Sequence, residues 1–437
     1  MTRIVGINKP ERFDLIKDML IKFPYKNWKN QKVFSTEHST FGIVSNTLTD
    51  EEFDKFEKEK FVEQNIFDDH FARAREINGS LVLERDYPGV APLYFGYTDD
   101  GSLVFASEIK ALIGITHKIN ELKPGSIFQD NKINSTDVVD TDNVFLELDE
   151  ISIGKKLKDL IEQTISKRIY KGKIGSWLSG GLDSSIIAKI VSKFYPDLYT
   201  FSGGLKGSSD LQYASLMAEH LKTKHFEIIV SIDEILKELP EVIYALESFD
   251  VYLVRSSVIN YMITKKAFEY IDYVFSGEGG DELFAGYSYL KTFNLSDLPA
   301  ELNALINVLH NTALQRVDRC SMSFGVQAIV PFTVSEIIKF AVKIPPELKI
   351  KNGIEKWILR KAFEDVLPDK IIKRKKEKFW EGSNVKNLIS EYADFKISDE
   401  EFRSQRKTKS NSVLRSKEEY FYYKIFTECF GEIENFD

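Results

Sequence analysis

The stretch Ser179-Gly180-Gly181-Leu182-Asp183-Ser184-Ser185 decides the fold, because it joins a short apolar run, Ile174 to Leu178, to an amphipathic segment ending near Phe194. The apolar run predicts a buried strand, and the spacing of isoleucine and valine after the loop predicts a helix. Two adjacent glycines allow a tight turn whose N–H groups face an anion, and the start of the helix adds partial positive charge. The alternative is a structural turn capped by a serine. The order strand, glycine loop, helix favours phosphate binding.

Strand-like and helix-like segments alternate on both sides of this loop. Alternation of this kind predicts a parallel sheet with helices on both faces, in which ligands bind at the carboxyl ends of strands. Residues 294–437 are predicted to be mainly helical. The other predicted helices and strands of the α/β region are Lys155–Ile169, Leu198–Ser202, Asp210–Leu221, His225–Val230 and Tyr273–Phe275.

The first part of the chain consists of short apolar runs separated by turn residues. Leu93-Tyr94-Phe95-Gly96-Tyr97 and Leu103-Val104-Phe105-Ala106 flank Asp99-Asp100-Gly101, which is typical of a β-hairpin. We therefore predict a mostly antiparallel β domain over 1–145 and an α/β domain over 151–437.

Composition limits the classes of function. The chain has 437 residues, of which 43% are hydrophobic, enough for a sizeable core. Its net charge of -8 argues against a nucleic-acid partner, and no apolar run approaches the roughly 20 residues of a membrane span. The N-terminus has no signal-peptide pattern, and the two cysteines, Cys320 and Cys429, exclude a disulfide framework. These features predict a cytoplasmic protein.

A second glycine-rich turn follows the strand at 273–275 and reads Ser276-Gly277-Glu278-Gly279-Gly280-Asp281-Glu282-Leu283-Phe284-Ala285-Gly286-Tyr287. Its carboxylates Glu278, Asp281 and Glu282 repel one another unless a cation or a proton relieves them. A magnesium ion held by Asp183 and Asp281, with Glu278 as general base, accounts for two of the three carboxylates. The alternative is a solvated acidic loop.

The loop at 179–185 lacks the closing Gly-Lys-Ser/Thr of a Walker A motif. It resembles the loop of the N-type ATP pyrophosphatases, and the two loops together resemble asparagine synthetase of the glutamine-dependent type. Val317-Asp318-Arg319, Val330-Pro331-Phe332 and Arg374-Lys375-Lys376-Glu377-Lys378-Phe379 also match that family, over about 150–430. The resemblance implies a degenerate glutaminase (Ntn-like) domain followed by an adenine-nucleotide α-hydrolase-like synthetase domain. It also implies a carbon–nitrogen ligase that forms AMP and pyrophosphate.

Carried over position by position, the resemblance implies a role for each matching residue. Glu278 would deprotonate the attacking amine, Lys376 would stabilise negative charge at the adenylate, and Asp183 and Asp281 would hold Mg²⁺. Small-molecule carboxylate and amine substrates are the implied partners, and a homodimer is left open. The residues implied to bind ATP or pyrophosphate are Leu178, Ser179, Gly180, Gly181, Asp183, Ser184, Ser185, Ser202 and Gly277.

The chain also departs from the family pattern. No cysteine precedes Cys320, although the family's glutaminase uses an N-terminal cysteine, so we expect no glutaminase activity. Arg255 is kept in a stretch that resembles the aspartate-binding one, but Tyr252 and Leu253 replace threonines there. Gln327, Ile329 and Phe379-Trp380-Glu381-Gly382 are further changes.

Three hypotheses follow from this pattern. The leading one is adenylation of a carboxylate, with aspartate as the best candidate, and transfer to ammonia or another amine. The second is a ligase like β-lactam synthetase or a lasso peptide cyclase, which closes an amide ring on a larger substrate. The third is a non-catalytic ATP-binding protein.

Overall fold

The computed structural model describes residues 2–25, 28–67, 69–135, 145–167, 170–376, 386–409 and 411–431. Its strands are β1 (Thr2–Ile7), β2 (Asn30–Ser35), β3 (Thr40–Ser45), β4 (Phe61–Phe67), β5 (His70–Ile77), β6 (Ser80–Arg85), β7 (Tyr94–Tyr97), β8 (Leu103–Ala106), β9 (Asn120–Glu121), β10 (Ser126–Gln129), β11 (Lys132–Ser135), β12 (Ile174–Trp177), β13 (Tyr199–Gly204), β14 (Lys224–Ile229), β15 (Tyr273–Phe275), β16 (Gln327–Ile329), β17 (Ile350–Lys351) and β18 (Ile354–Glu355).

The helices are α1 (Phe13–Ile21), α2 (Asp50–Lys58), α3 (Glu150–Ser166), α4 (Leu182–Phe194), α5 (Ser209–Leu221), α6 (Ile232–Leu246), α7 (Val251–Ala267), α8 (Gly280–Leu283), α9 (Leu298–Val308), α10 (Ala313–Met322), α11 (Ser335–Val342), α12 (Pro346–Lys349), α13 (Trp357–Phe363), α14 (Asp369–Ile372), α15 (Lys386–Lys396), α16 (Asp399–Gln405) and α17 (Lys417–Phe430). Short 3₁₀ turns lie at Ile109–Ala111, Ser288–Thr292, Leu309–Asn311 and Pro331–Thr333. Of the helices in the ranges given above, none is both long and apolar enough to cross a membrane.

The N-terminal part consists of two antiparallel sheets, as predicted. One has the strand order β2-β3-β1-β8-β7-β9 and the other β11-β10-β6-β5-β4. The predicted hairpin is β7–β8, with Tyr94 opposite Ala106. Buried phenylalanines from both sheets, including Phe105 and Phe128, share one core. Aromatic side chains bury a large apolar area each, which suits strands as short as these.

The second part is built on a parallel sheet of order β14-β13-β12-β15-β16. Val274 packs into the core beneath α6, α7 and α10, whereas its neighbour Phe275 packs into the core beneath α3 and α4, so helices cover both faces. The predicted parallel α/β architecture is confirmed. The chain after 294 is mainly helical, as predicted, and strand β16 is an addition that the sequence did not reveal. Its three residues pair with β15 and are too few to show a pattern of their own.

The strand order places the two glycine loops side by side. From the central β12 the chain runs outward to β13 and β14, then returns to β15 on the other side of β12. Neighbouring strands whose connections leave in opposite directions leave a crevice at their carboxyl ends. The loop at 179–185 follows β12 and the loop at 276–287 follows β15, so both border this crevice.

A buried cluster of charged side chains joins the N-terminal sheets to the α/β part. Arg3 donates to Glu108 at 2.6 Å and to Asp318 at 2.7 Å, and Arg319 lies 3.0 Å from Glu247. Lys110 completes the cluster at 2.5 Å from Glu108 and 3.1 Å from Glu247. Charges this deeply buried persist only when they are paired, so the two parts are held in one arrangement. The members are Arg3, Glu108, Lys110, Glu247, Asp318 and Arg319.

Candidate active site

The loop after β12 is shaped by close contacts that only glycine permits. Gly180 has a φ of +67°, and a Cβ there would overlap Tyr213. Gly181 is the N-cap of α4. The hydroxyls of Ser179 and Ser184 lie 3.1 Å apart across the turn. The loop therefore presents N–H groups, hydroxyls and a helix N-terminus to the crevice, a combination suited to an anion.

The two glycine loops touch each other. A Cβ on Gly277 would lie 2.7 Å from the backbone nitrogen of Ser184, and one on Gly280 would lie 2.6 Å from Cγ of Asp183. Side chains at these positions would push the loops apart. The glycines thus bring Asp183 of the first loop next to Asp281 of the second.

Two lysines lie against these carboxylates. The ammonium group of Lys356 contacts Oδ2 of Asp183 and lies 2.6 Å from Oδ1 of Asp281. The ammonium group of Lys376 lies 2.6 Å from Oδ2 of Asp281. Lys356 reaches this point from a left-handed backbone position before α13, and its side chain is 3% exposed. The site therefore contains two carboxylates and two ammonium groups.

The titration of these groups reflects their burial and pairing. Burial raises the pKa of Asp183, the attraction of Lys356 opposes this rise, and the charge of Asp281 adds to it. Burial acts the same way on Asp281, but Lys356 and Lys376 hold its pKa well below the usual range. Burial lowers the pKa of Lys376, yet Asp281 and Asp183 more than compensate and raise it above its usual value.

The arrangement fits a magnesium ion bound together with phosphate. Oδ1 of Asp183 is buried and has no hydrogen-bond partner among the described residues. The same part of the chain contains no group of three or more His, Cys, Asp and Glu side chains that could hold a metal by itself. Magnesium is commonly held by one or two carboxylates plus phosphate oxygens and water, which is what Asp183 and Asp281 offer.

Glu278 lies beside this group and is paired with Arg316 of α10, whose Nη2 contacts Oε1 of the carboxylate. Both side chains are largely buried, at 28% and 11% exposure. The next carboxylate, Glu282, accepts a hydrogen bond from the hydroxyl of Tyr287 at 2.5 Å. Burial, with the nearby charge of Asp281, raises the pKa of Glu282 to about 7. The repulsion among the carboxylates of the second loop is therefore reduced in two ways. Cations are paired with Glu278 and Asp281, and the raised pKa of Glu282 favours its neutral form.

A cavity of about 640 Å³ lies above these loops. Three predicted site residues lie outside its lining. Gly180 faces Tyr213, Ser185 is fully buried within α4, and Arg255 is paired with Glu418 through Nε and Oε1 at 2.7 Å. The predicted residues that line the cavity are Leu178, Ser179, Gly181, Asp183, Ser184, Ser202, Tyr252, Gly277, Glu278, Asp281 and Lys376.

Sequence reasoning assigned no role to five cations that line the cavity: Arg316, Lys356, Arg360, Arg374 and Lys375. Of these, Arg374 donates to the backbone oxygen of Ser179 at 2.9 Å and to Asp210 at 2.6 Å. The signal that could have found them is charge balance, because the carboxylates of two adjacent loops need cations from elsewhere in the chain. The changed segment Phe379-Trp380-Glu381-Gly382 lies outside the described residues.

The wall opposite the first glycine loop comes from α7, α9 and the start of α10. Tyr252 and Leu253 of α7 face the cavity, as do Leu305 and Val308 of α9. Tyr252 and Val308 are 55% and 50% exposed, so the apolar surface continues to the cavity mouth. A substrate bound here meets an apolar rim next to the charged centre.

Two protein-family models match the chain. The family model for asparagine synthase matches residues 156–305 and 294–435, and that for a glutamine amidotransferase domain matches residues 68–170. Asparagine synthetase B [glutamine-hydrolyzing] of Escherichia coli (strain K12) is 35% identical over 377 residues, covering 80% of this chain and 68% of that protein. Asparagine synthetase [glutamine-hydrolyzing] of Mus musculus is 33% identical over 394 residues, covering 80% and 70%.

Among solved structures, NMN synthetase from Francisella tularensis superposes with a TM-score of 0.25 and 14% identity, over 54% of this chain and 94% of that one. At that TM-score the likeness adds nothing to the assignment. The assignment rests on the family match and on the sequence identities to the two synthetases. The chain belongs to the asparagine synthase family and is a carbon–nitrogen ligase that forms AMP and pyrophosphate.

Proposed function

We propose that this protein adenylates a small carboxylic acid with ATP, releases pyrophosphate and passes the acyl group to an amine, without hydrolysing glutamine. The observation that carries the proposal is the meeting of two glycine loops around Asp183, Asp281 and Lys356. A crevice with helix N–H groups, hydroxyls and ammonium groups at one end suits the phosphates of ATP.

The residues of the first loop would hold the β and γ phosphates. Backbone N–H groups at the start of α4 and the hydroxyls of Ser179 and Ser184 face the crevice, and Lys356 and Lys376 supply positive charge. Asp183 and Asp281 would hold Mg²⁺, which neutralises phosphate charge when bound. An ammonium group at a largely buried site is already oriented before negative charge develops, so it stabilises a transition state more than water does.

Glu278 is proposed as the group that removes a proton from the attacking amine. Its carboxylate lines the cavity and belongs to the same glycine loop as Asp281. Its contact with Arg316 holds it in one orientation. A carboxylate at this position can accept a proton from the attacking amine. The pairing also implies that Arg316 must shift when Glu278 takes up the proton.

The absence of glutaminase activity is supported by the positions of the cysteines. Cys320 is buried in α10, where burial raises the pKa of its thiol to about 12, and Cys429 lies in α17. A nucleophilic cysteine needs a lowered pKa and access to its substrate. The relatives are named glutamine-hydrolyzing, but here the glutamine amidotransferase match begins only at residue 68.

Aspartate is the first acid to test, because the relatives are asparagine synthetases. A second candidate is an acid with an apolar portion whose own amine closes a ring. The apolar wall formed by Tyr252, Leu253, Leu305 and Val308 favours this candidate, since aspartate has no apolar group to cover it.

The experiment is pyrophosphate release from Mg-ATP with aspartate, with ammonium as the amine, followed by mass spectrometry of the product. Asparagine formed with ammonium but not with glutamine supports the proposal. Release that requires a larger amino acid or peptide and no ammonium supports ring closure. The matched variants are Asp183→Asn, which should abolish release, and Asp365→Asn, which changes an exposed aspartate that pairs with Lys158 outside the site. No release with any acid by the wild-type protein would contradict the proposal.

A further inference from the structure

Lys356 presents its ammonium group to the site from an unfavourable backbone conformation. It follows strand β18 directly and has a φ of +54°, in the left-handed region that a residue with a side chain rarely occupies. A residue stays in such a conformation only where its surroundings fix the backbone from several sides. In a favoured conformation the side chain would leave the backbone in another direction. The contacts of Lys356 with Asp183 and Asp281 therefore depend on the groups that hold this backbone.

Arg360, one turn further along α13, holds both peptide groups that flank Lys356. Its Nε donates to the backbone oxygen of Glu355 at 2.8 Å, and its backbone N–H donates to the backbone oxygen of Lys356 at 3.0 Å. Its Nη2 also donates to Oε1 of Glu355 at 2.7 Å. Any residue can make the backbone bond, but the other two need a long side chain with several donors. Because the two peptide groups set φ and ψ of Lys356, they fix the direction of its side chain.

The same guanidinium group holds the segment that carries the second ammonium group of the site. Its Nη1 donates to the backbone oxygen of Arg374 at 3.1 Å and contacts that of Ile372. The backbone nitrogen of Lys376 lies 3.4 Å from Oε1 of Glu355, to which it donates. From this backbone the side chain of Lys376 reaches Oδ2 of Asp281 at 2.6 Å. One buried side chain thus joins the two segments from which the two ammonium groups extend.

Arg360 lines the cavity, but its donors are directed at the protein. A guanidinium group has five N–H donors, and this one makes four hydrogen bonds, three of them to backbone oxygens. A group engaged in this way orients other residues instead of binding a phosphate. A lysine here would keep the charge but lose the planar fork that reaches both segments at once.

We propose that Arg360 is a positioning residue that aims Lys356 and Lys376 together at the carboxylates of the two glycine loops. Without the fork, the backbone at Lys356 can relax toward a favoured conformation, and the segment 372–376 loses its attachment to α13. Both ammonium groups then move away from the point where negative charge develops. The inference rests on the proposed function only in taking these two ammonium groups as the ones that stabilise that charge.

The variant Arg360→Lys tests this role, because it keeps a cation on a long side chain and removes only the fork. We expect kcat for pyrophosphate release to fall by about 10²-fold, the effect of displacing a reacting or catalytic group by about 1 Å. The KM for the acid should change by less than about twofold, since a loss confined to kcat is the pattern of groups that act in the transition state. Wild-type kcat in folded Arg360→Lys would overturn the inference.

Arg85→Lys is the matched control. Arg85 is 4% exposed, against 7% for Arg360, and its guanidinium group also donates to backbone oxygens, those of Gly89, Ala91 and Leu122. These contacts lie in the N-terminal part of the chain. Thermal melts of both variants should show a similar decrease in stability, with wild-type kcat in Arg85→Lys alone. Equal losses of kcat in the two variants would assign the effect to stability and overturn the inference.

A double-mutant cycle tests whether Arg360 acts through the lysines. In a Lys356→Met background, Arg360→Lys should lower kcat by at most about 10-fold instead of about 10²-fold, because only Lys376 is left to be misplaced. A loss as large as in the wild-type background would show that Arg360 acts by itself, and would overturn the inference.

Urea unfolding of the ligand-free protein separates this inference from the proposed function. If Arg360 holds Lys356 against the aspartates, Lys356→Met should shift the unfolding midpoint less in the Arg360→Lys background than in the wild type. This comparison needs no turnover. A wild-type protein that releases no pyrophosphate with any acid would end the proposed function and leave this cycle to decide the inference. Additive shifts of the midpoint would overturn the inference whatever the activity.

Discussion

Replacing Lys356 with methionine removes the ammonium group that both site aspartates share, at little change in side-chain length. Lys356 contacts Asp183 and lies 2.6 Å from Asp281, and the three side chains are 3%, 13% and 15% exposed. Removing one partner of a buried ion pair costs about 3–5 kcal/mol, because the remaining charge stays desolvated. We expect the ligand-free variant to lose stability of this order near and above neutral pH.

The loss should shrink as the pH falls. Burial already raises the pKa of Asp183, and without Lys356 the rise is larger. An acid with a raised folded-state pKa binds its proton in the native protein at pH values where the unfolded chain has released it. Stability therefore increases as the pH drops toward that raised pKa. Urea unfolding at several pH values measures this dependence, with equal m-values as a check that the folded state is comparable.

Activity should fall as well. Removing one preorganised charge from a site of this kind typically lowers the rate by about 10²–10³-fold, so pyrophosphate release by Lys356→Met should drop by that factor. Mg-ATP should restore more stability to the variant than to the wild type, because the bound cation partly replaces the missing charge. Lys361→Met, at an exposed position on α13 where the lysine is paired with Glu364, is the control. Wild-type stability and wild-type rate in Lys356→Met would refute this reasoning.

Further predictions concern the base, the buried charged cluster between the N-terminal sheets and the α/β part, and His225 of β14. Glu278→Gln should lower the rate of amide formation by about 10²–10⁴-fold. Exchange of labelled pyrophosphate into ATP should continue in this variant. An equal loss of both activities would contradict a role of Glu278 as base. Arg3→Met should cost about 3–5 kcal/mol in urea unfolding, because Glu108 and Asp318 lose a buried partner; exposed Lys9→Met is the control. With its lowered pKa, His225 stays neutral when folded but is protonated when unfolded, so wild-type stability should fall as the pH drops from about 6.5 toward 4. The melting temperature of His225→Asn should decrease less over that range.

Local patterns in the sequence predicted most of the α/β framework. The strand over 273–275 was placed correctly, and α4 begins at Leu182, within the loop segment 179–185, because Gly181 serves as its N-cap. Both glycine loops were found because their residues are contiguous. The roles of the side chains within them stay predictions.

Features that depend on distant parts of the chain were missed. Lys356 meets a residue 173 positions earlier in the sequence, and no periodicity marks such a contact. Arg255 matched a substrate-binding stretch, but Glu418, 163 positions later, holds it in an ion pair. Charge pairing between remote segments becomes visible only when the fold brings them together.

Three arginines near the cavity, Arg255, Arg316 and Arg415, are each paired with a carboxylate of the protein, and this bears on the acid that we propose to test. On the α7 side, Arg255 is paired with Glu418, and Asp250 lies 3.0 Å from Arg415. Glu278 is in contact with Arg316. If the substrate carries a carboxylate besides the one that reacts, that group can bind one of these arginines only by displacing a carboxylate of the protein. Breaking the existing ion pair costs free energy. Recognition of the substrate by the shape of the wall around Tyr252 requires no ion pair to be broken. We therefore propose that shape selects the acid in preference to these three arginines, unless proton uptake by Glu278 releases Arg316 to the substrate.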